Sequence, residues 1–256
     1  MITLKTKEEI ALLREGGAIL AAILKKTAEA VRPGISTKDI NDLVNKLCAE
    51  YNVTPVFLNY KPYGAPRPYP ASICVSINEE VVHGIPNEKP RVLKDGDIVS
   101  LDMGISYKNL ITDSAITVGV GEIDARAKKL LEVTEKALYI GINAAGVGAK
   151  TGDIGYAIEK YVKPQGFSLP VELGGHGVGH SVHEDPFIAN FGKKGQGPAL
   201  KPGMVIAIEP MVNEGNARVS FDEDGYTVRT SDGKRSAHFE HTVAITENGP
   251  EILTQL

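Results

Sequence analysis

The sequence has 256 residues, of which 42% are hydrophobic and 23% charged, and a net charge of −4; it is long enough for a sizeable core, and its charge gives no reason to expect nucleic acid as a ligand. Two cysteines, Cys48 and Cys74, make neither a disulfide framework nor a metal-type pair, which suits a reducing compartment. Charges at Lys5, Lys7, Glu8 and Glu9 stand where a signal peptide needs its apolar core, and no apolar run nears the roughly 18 residues of a membrane span, so a soluble cytoplasmic protein is expected.

Thr6 followed by Glu9 reads as a capping box that opens a helix. Ile10, Leu13, Gly17, Leu20 and Leu24 recur at helical spacing until Arg32-Pro33-Gly34 stops the run near Val31. Ser36 or Thr37 caps a second helix through Ile40, Leu43, Val44 and Leu47 to about Tyr51. Tyr60–Pro70 is a loop of Pro, Gly and Tyr, and Ile73–Val82 a strand region. Asp97–Gly104 and Leu110–Val118 read as strands around a short turn. Asp124–Ala145 and Thr151–Val162 read as helices, the second stopped before Pro164. Phe187–Ala199 reads as a Gly/Lys-rich connection, Val205–Ile208, Tyr226–Arg229 and Ala237–Ile245 as strands, and Glu214–Ser220 and Ser231–Ser236 as turns. No linker divides the chain, so one domain over 1–256 is expected.

The stretch from Gly174 to Pro186 carries three of the six histidines among four glycines. His176 and His180 have the four-residue spacing of a helical zinc site, but Gly177 and Gly179 argue against a helix. An irregular or extended segment that aims His176 and His183 separately into one cleft is expected instead.

The chain also repeats itself. Gly34-x-x-Thr37-x-Asp39-Ile40 recurs as Gly148-x-x-Thr151-x-Asp153-Ile154, and Val82-His83-x-x-Pro86 as Val182-His183-x-x-Pro186. The run from Leu93 to Asp102 recurs from Leu200 to Glu209. Three matches in the same order, at offsets of 114, 100 and 107, imply two related halves, about 1–120 and 121–256, packed about a pseudo-two-fold axis. His83 then pairs with His183, Asp102 with Glu209, and Asp113 with Glu240.

Asp102 and Asp113 are symmetric about Tyr107–Lys108, so a hairpin turn there would oppose them across a ladder, side chains on one face. Opposed carboxylates among Ile98, Val99, Leu101 and Met103 repel unless a cation lies between them. Asp102, Asp113, Glu209 and Glu240 with one or two histidines make an oxygen-rich set, which favours Mn, Fe or Co over a thiolate zinc site. Four carboxylates exceed the need of one catalytic cation and fit two. Taken singly, Asp113 reads as a turn or edge residue and Glu240 as a partner for a cation such as Arg235. His180 reads as a loop residue, and His238 and His241 as supporting or structural residues, with His241 alternating to the opposite face from Glu240.

These residues closely resemble the methionine aminopeptidases of the short bacterial-like (type I) class. The resemblance rests on Ser72–Pro86, the Asp102 and Asp113 pair, His176-Gly177-Val178-Gly179 through His183-Glu184, Ile208-Glu209-Pro210 and Glu240-His241-Thr242. It implies an α+β pita-bread fold, two related halves with helices packed on a curved antiparallel sheet. It implies a dinuclear centre of two divalent ions held by Asp102, Asp113, His176, Glu209 and Glu240, with Asp113 and Glu240 bridging. A water acidified by the metals would attack the carbonyl of the first residue, and Glu209 would take its proton. His183 would stabilise the tetrahedral intermediate and His83 would serve the scissile nitrogen. The methionine side chain would lie among Tyr69, Cys74, His83, Val182 and Tyr226, with a small second residue preferred. Family members often bind a monovalent cation near Asn78 and Ser236. The implied substrates are N-termini of nascent polypeptides, without a nucleic acid or membrane partner; a monomer suffices, and docking on a ribosome is left open.

The sequence departs from the family in three places. The Tyr60–Pro70 loop is longer and richer in proline, Val182 and Tyr226 stand where larger aromatics are common, and His180 is unexpected. Two other readings compete: a proline-directed peptidase on the same fold, for which no recognition residues are seen, and a non-catalytic binding protein, which would be expected to lack ligands present here.

Overall fold

The computed structural model describes residues 2–256. Four helices carry the N-terminal signals read from the sequence. α1 (Lys7–Ala30) opens on Thr6, whose hydroxyl accepts the Glu9 N–H while the Glu9 carboxylate accepts the Thr6 N–H at 2.7 Å. α2 (Thr37–Glu50) repeats the device with Ser36 and Asp39. α3 (Ala125–Ala144) is capped by Asp124, and in α4 (Thr151–Val162) Asp153 reaches back to the Lys150 N–H at 2.7 Å. Each cap satisfies backbone donors that the first helical turn leaves free.

The strands, in chain order, are β1 (Thr54–Pro55), β2 (Cys74–Ile77), β3 (Glu80–Val82), β4 (Ile98–Tyr107) and β5 (Leu110–Gly119), then β6 (Gly174–Gly177), β7 (Glu184–Ala189), β8 (Val205–Ile208) and β9 (Met211–Asn213). They continue with β10 (Val219–Phe221), β11 (Val228–Thr230), β12 (Ser236–His238), β13 (Glu240–Thr246) and β14 (Gly249–Ile252). The main sheet runs β1-β4-β5-β13-β8-β6-β7, with β2 beside β4 and β14 beside β13, all antiparallel. Its centre is a mirrored order, β2-β4-β5 meeting β13-β8-β6, so β5 and β13 form the seam between the repeated segments. Each side has its own apolar core. Leu20, Ile23, Ile40 and Val44 of α1 and α2 pack on Val75, Val99, Leu101 and Met103. Leu130, Val133, Ile154 and Ile158 of α3 and α4 pack on Ile188, Ile206, Ile208 and Val243.

Hydroxyl groups stitch the seam. The ladder pairs Glu240 with Ala115 and His241 with Ser114. The Thr242 hydroxyl accepts the Asp113 N–H at 2.9 Å and donates to its carbonyl at 2.7 Å. The Ser114 hydroxyl donates to the Glu240 carbonyl at 2.8 Å.

Several expectations are corrected. The hairpin turn is centred on Lys108 and Asn109, both with left-handed backbones, so β4 and β5 are longer than expected and their register is displaced. Asp113 faces Gly104, and Asp102 faces Ala115; the two carboxylates are diagonal neighbours on one face rather than directly opposed. The Ile73–Val82 region is two strands, broken where Asn78 turns left-handed. Ala237–Ile245 is likewise two strands interrupted at Phe239. The connection expected from Phe187 begins only after β7, which occupies Glu184–Ala189, and the turn expected over Glu214–Ser220 ends in β10.

The histidine stretch is extended, as expected: β6, a bend, then β7. Glycine is needed in β6 for packing. A Cβ on Gly175 would lie 2.1 Å from the Ala207 carbonyl oxygen, and one on Gly177 2.2 Å from that of Asp185. Lys5 secures the bend. It is 5% exposed and its ammonium meets the Glu184 carboxylate at 2.5 Å, where the Thr3 hydroxyl also donates. The other Glu184 oxygen accepts the N–H groups of His180 and Ser181 at 2.6 and 3.0 Å. Among the described residues no helix is long and apolar enough to cross a membrane.

Candidate metal centre

β4, β5, β13 and the residue just after β8 each deliver one carboxylate to the floor of a cleft of about 530 Å³. Asp102, Asp113 and Glu240 are buried, and Glu209, with 12% of its side chain exposed, opens onto the cleft. Ligand atoms of Asp113, His176 and Glu240 lie within 4.8 Å of one another. His176 Nε2 is 3.5 Å from Glu209 Oε1. His176 Nδ1 lies 2.8 Å from the Gly177 carbonyl, which can only accept; the proton is therefore on Nδ1 and the Nε2 lone pair faces the carboxylates.

Among the described residues no lysine or arginine is paired with this group. Arg235, the alternative partner for Glu240, is engaged with Glu214 and Asp124. Burial pushes the Asp113 carboxyl up to about 7, against a backbone hydrogen bond from Ser114. Asp102, Glu209 and Glu240 are also held well above the ordinary carboxylate range, first by burial and then by one another's charge. Burial and the neighbouring His183 bring His176 down to about 3 and His83 to about 4, so both are neutral donor groups near pH 7. Asp113 Oδ1 and Glu240 Oε1 are buried without a hydrogen-bond partner. Converging carboxylates, a neutral imidazole and orphaned oxygens have the composition of a divalent-cation site and are costly in any other role.

His83 and His183 face the same cleft. His83 holds a left-handed backbone, φ 60°, a conformation costing roughly 1–3 kcal/mol that clusters at functional positions. His183 is exposed at the mouth, its ring 4.4 Å from that of His176 and its Nδ1 2.9 Å from the Tyr60 hydroxyl. Tyr69, Cys74 and Tyr226 line the cavity. Val182 packs in the apolar cluster that contains Tyr69 and Cys74. Asn78 and Ser236 are neighbours, the Ser236 N–H donating to the Asn78 carbonyl at 2.8 Å.

The place of Tyr60 was not assigned from the sequence. Tyr60 and Tyr69 pair through their backbones, Tyr69 N–H to Tyr60 carbonyl at 2.8 Å, so the proline-rich excursion between them is pinched at its base and both rings reach the cleft. His180 does not enter the cleft; its Nε2 meets Glu9 at 2.8 Å. His241 lies beside Thr254 and Tyr139, whereas His238 approaches Glu209 at 3.5 Å and Glu240 at 4.0 Å.

Known proteins agree with this geometry. The family model for metallopeptidase family M24 matches residues 11–247. A methionine aminopeptidase from Clostridium perfringens is 47% identical over 254 residues, covering 99% of each chain. The crystal structure of methionine aminopeptidase from Thermotoga maritima superposes with a TM-score of 0.94 at 44% identity over 100% of both chains. An Xaa-Pro dipeptidase from Bacillus anthracis shares the fold, with a TM-score of 0.76 at 23% identity, and this chain covers 62% of it. The mirrored antiparallel sheet with its four helices is the pita-bread fold, and the chain belongs to metallopeptidase family M24.

Proposed function

We propose that this metallopeptidase removes methionine from the N-terminus of nascent proteins and peptides with a small second residue. The observation that carries the reading is the buried set of four carboxylates and His176 on the floor of a cleft whose walls present His83 and His183. Full-length likeness to methionine aminopeptidases selects that substrate over an Xaa-Pro bond.

Asp102, Asp113, His176, Glu209 and Glu240 would hold two divalent ions such as Co, Mn or Fe. Bound there, the ions supply Lewis acidity, which acidifies water and polarises the first carbonyl. Glu209, the carboxylate that opens onto the cleft, accepts the proton of the attacking water. With the Tyr60 hydroxyl donating to His183 Nδ1, His183 Nε2 carries the proton and serves as hydrogen-bond donor to the developing oxyanion. His83, which lines the same cleft, would serve the scissile nitrogen. Tyr69, Cys74, His83 and Tyr226, backed by Val182, form the pocket for the methionine side chain.

The test compares peptides beginning Met-Ala and Ala-Pro, with protein stripped by chelator and reloaded with Mn, Fe or Co under reducing, anaerobic conditions. Metal-dependent release of methionine alone supports the reading. Release of alanine from the second peptide would move the chain to proline-directed cleavage, and no turnover with metal bound would leave a binding protein.

A further inference from the structure

His238 is a buried imidazole for which the chemistry above has no use. It ends β12, which pairs with β9, and the Thr117 hydroxyl fixes its backbone on both sides: it accepts the His238 N–H at 2.9 Å and donates to the His238 carbonyl at 2.7 Å. The side chain, about 2% exposed, is thereby aimed at the carboxylates. Its Nε2 lies 3.5 Å from Glu209 Oε2 and 4.0 Å from Glu240 Oε2, and neither ring nitrogen has a hydrogen-bond partner.

Burial without a partner is unfavourable for an imidazole, and the carboxylates that Nε2 approaches are acceptors that can relieve it. A neutral imidazole has one N–H to give. Glu209 Oε2 is the nearer carboxylate oxygen, a few tenths of an ångström beyond hydrogen-bond length. The other oxygen of the same carboxylate, Oε1, faces His176. Glu209 therefore sits between two imidazoles that differ in role. The Nδ1 proton of His176 is committed to the Gly177 carbonyl, which leaves His238 as the donor.

We propose that His238 is a positioning residue for Glu209: its Nε2–H holds Oε2, and so leaves Oε1 as the oxygen presented to the cation and to the proton of water. The role rests on Glu209 acting as proposed above, but its structural core, an imidazole donor that orients a cation ligand, does not need turnover to be tested.

The experiment uses the full chain and its His238→Leu and His238→Gln variants, with Mn(II) alone as the calorimetric probe and a Met-Ala peptide for kinetics at saturating Mn(II). His238→Leu removes the donor and should lower kcat roughly ten- to hundredfold with little change in KM, and weaken Mn(II) binding without changing its stoichiometry. His238→Gln keeps an N–H donor and should recover most of both losses. In a Glu209→Gln background, His238→Leu should add little to the loss of Mn(II) affinity, because the two residues act as one unit. Parental affinity and kcat in His238→Leu, or additive losses in the double variant, would overturn the proposal. Equal damage in the Leu and Gln variants with one Mn(II) fewer bound would overturn it in favour of direct ligation by His238. If the parent binds Mn(II) but does not release methionine, the proposed function fails, while the affinity cycle still decides the role of His238.

Discussion

The two sides of the seam place matched residues alike and use them differently. On the first side, Asp102 and Asp113 come from a single hairpin whose ladder of ten pairs runs without a register shift. On the second, His176 comes from β6, Glu209 from the residue after β8 and Glu240 from β13, and the β6–β7 ladder shifts between Gly175 and Gly177. The matched carboxylates diverge in the same way, since Asp102 is buried while Glu209 opens onto the cleft. The histidines diverge too. His83 is half-buried on a strained backbone, whereas His183 is exposed and touches Tyr60. One side is built as a rigid floor and the other as the side that meets water and substrate. The mirrored strand order thus sets where a residue stands, and its local surroundings set what it can do.

The sharpest way to break this comparison is Glu209→Gln. On the proposed reading it should lower kcat on a Met-Ala peptide by roughly 10²–10⁴-fold at saturating metal, with an unchanged circular dichroism spectrum. A rate within tenfold of the parent would show that the exposed side does not own the proton transfer.

The second test is at the Lys5–Glu184 pair that supports the His183 bend. Lys5→Met leaves a buried carboxylate without its cation and should cost about 3–5 kcal/mol in urea unfolding at pH 7. Burial alone would raise the Glu184 carboxyl, but Lys5, the Thr3 hydroxyl and the Ser181 N–H together hold it below 4.5. A folded value below the unfolded one means stabilisation that is complete above pH 4.5 and lost as pH falls through the folded value. The stability gap between parent and variant should therefore narrow below pH 4.5, and a constant gap would show that the pair contributes packing rather than charge.

Glycine replacements probe the two ladders directly. Gly175→Ala would press a Cβ against backbone and should cost about 1–3 kcal/mol. On the other side, a Cβ at Gly104 would meet the Val56 side chain at 2.8 Å, which can move, so Gly104→Ala should cost less in the same denaturation assay. The smallest effect belongs to Tyr60→Phe. Losing the hydroxyl that touches His183 should lower kcat/KM by up to about tenfold, the worth of one hydrogen bond.

The helices and the mirrored sheet were legible because their signals are local or repeated. Thr6 with Glu9, and Ser36 with Asp39, announce helix starts within four residues, and the three matched motifs convey topology. The four carboxylates were legible for the second reason, as residues that recur at matched places, whereas His176 stood out through the glycines around it. Register was not, because it depended on the Lys108–Asn109 turn, where two non-glycine residues take left-handed backbones; Asn109 was the available hint. β7 was hidden by Pro186, a residue that argues against a strand. Tyr60 was hidden in a loop whose closure on Tyr69 no local pattern reports.

The seam between β5 and β13 has a further consequence. Among the described residues two ladder pairs join the strands there, beside a few hydroxyl contacts and one small apolar cluster that sets Leu13 and Leu110 against Val205 and Ala244, while the two large cores lie on either side. The proposed cation ligands lie on both sides of that line, so metal binding would act as a clasp as well as a catalyst. A ligand that binds only the closed form adds about 2.7 kcal/mol at one hundred times its dissociation constant. Metal scarcity would then shorten the lifetime of the folded chain, and amide exchange along β5 and β13 would quicken in chelator before the helices loosen.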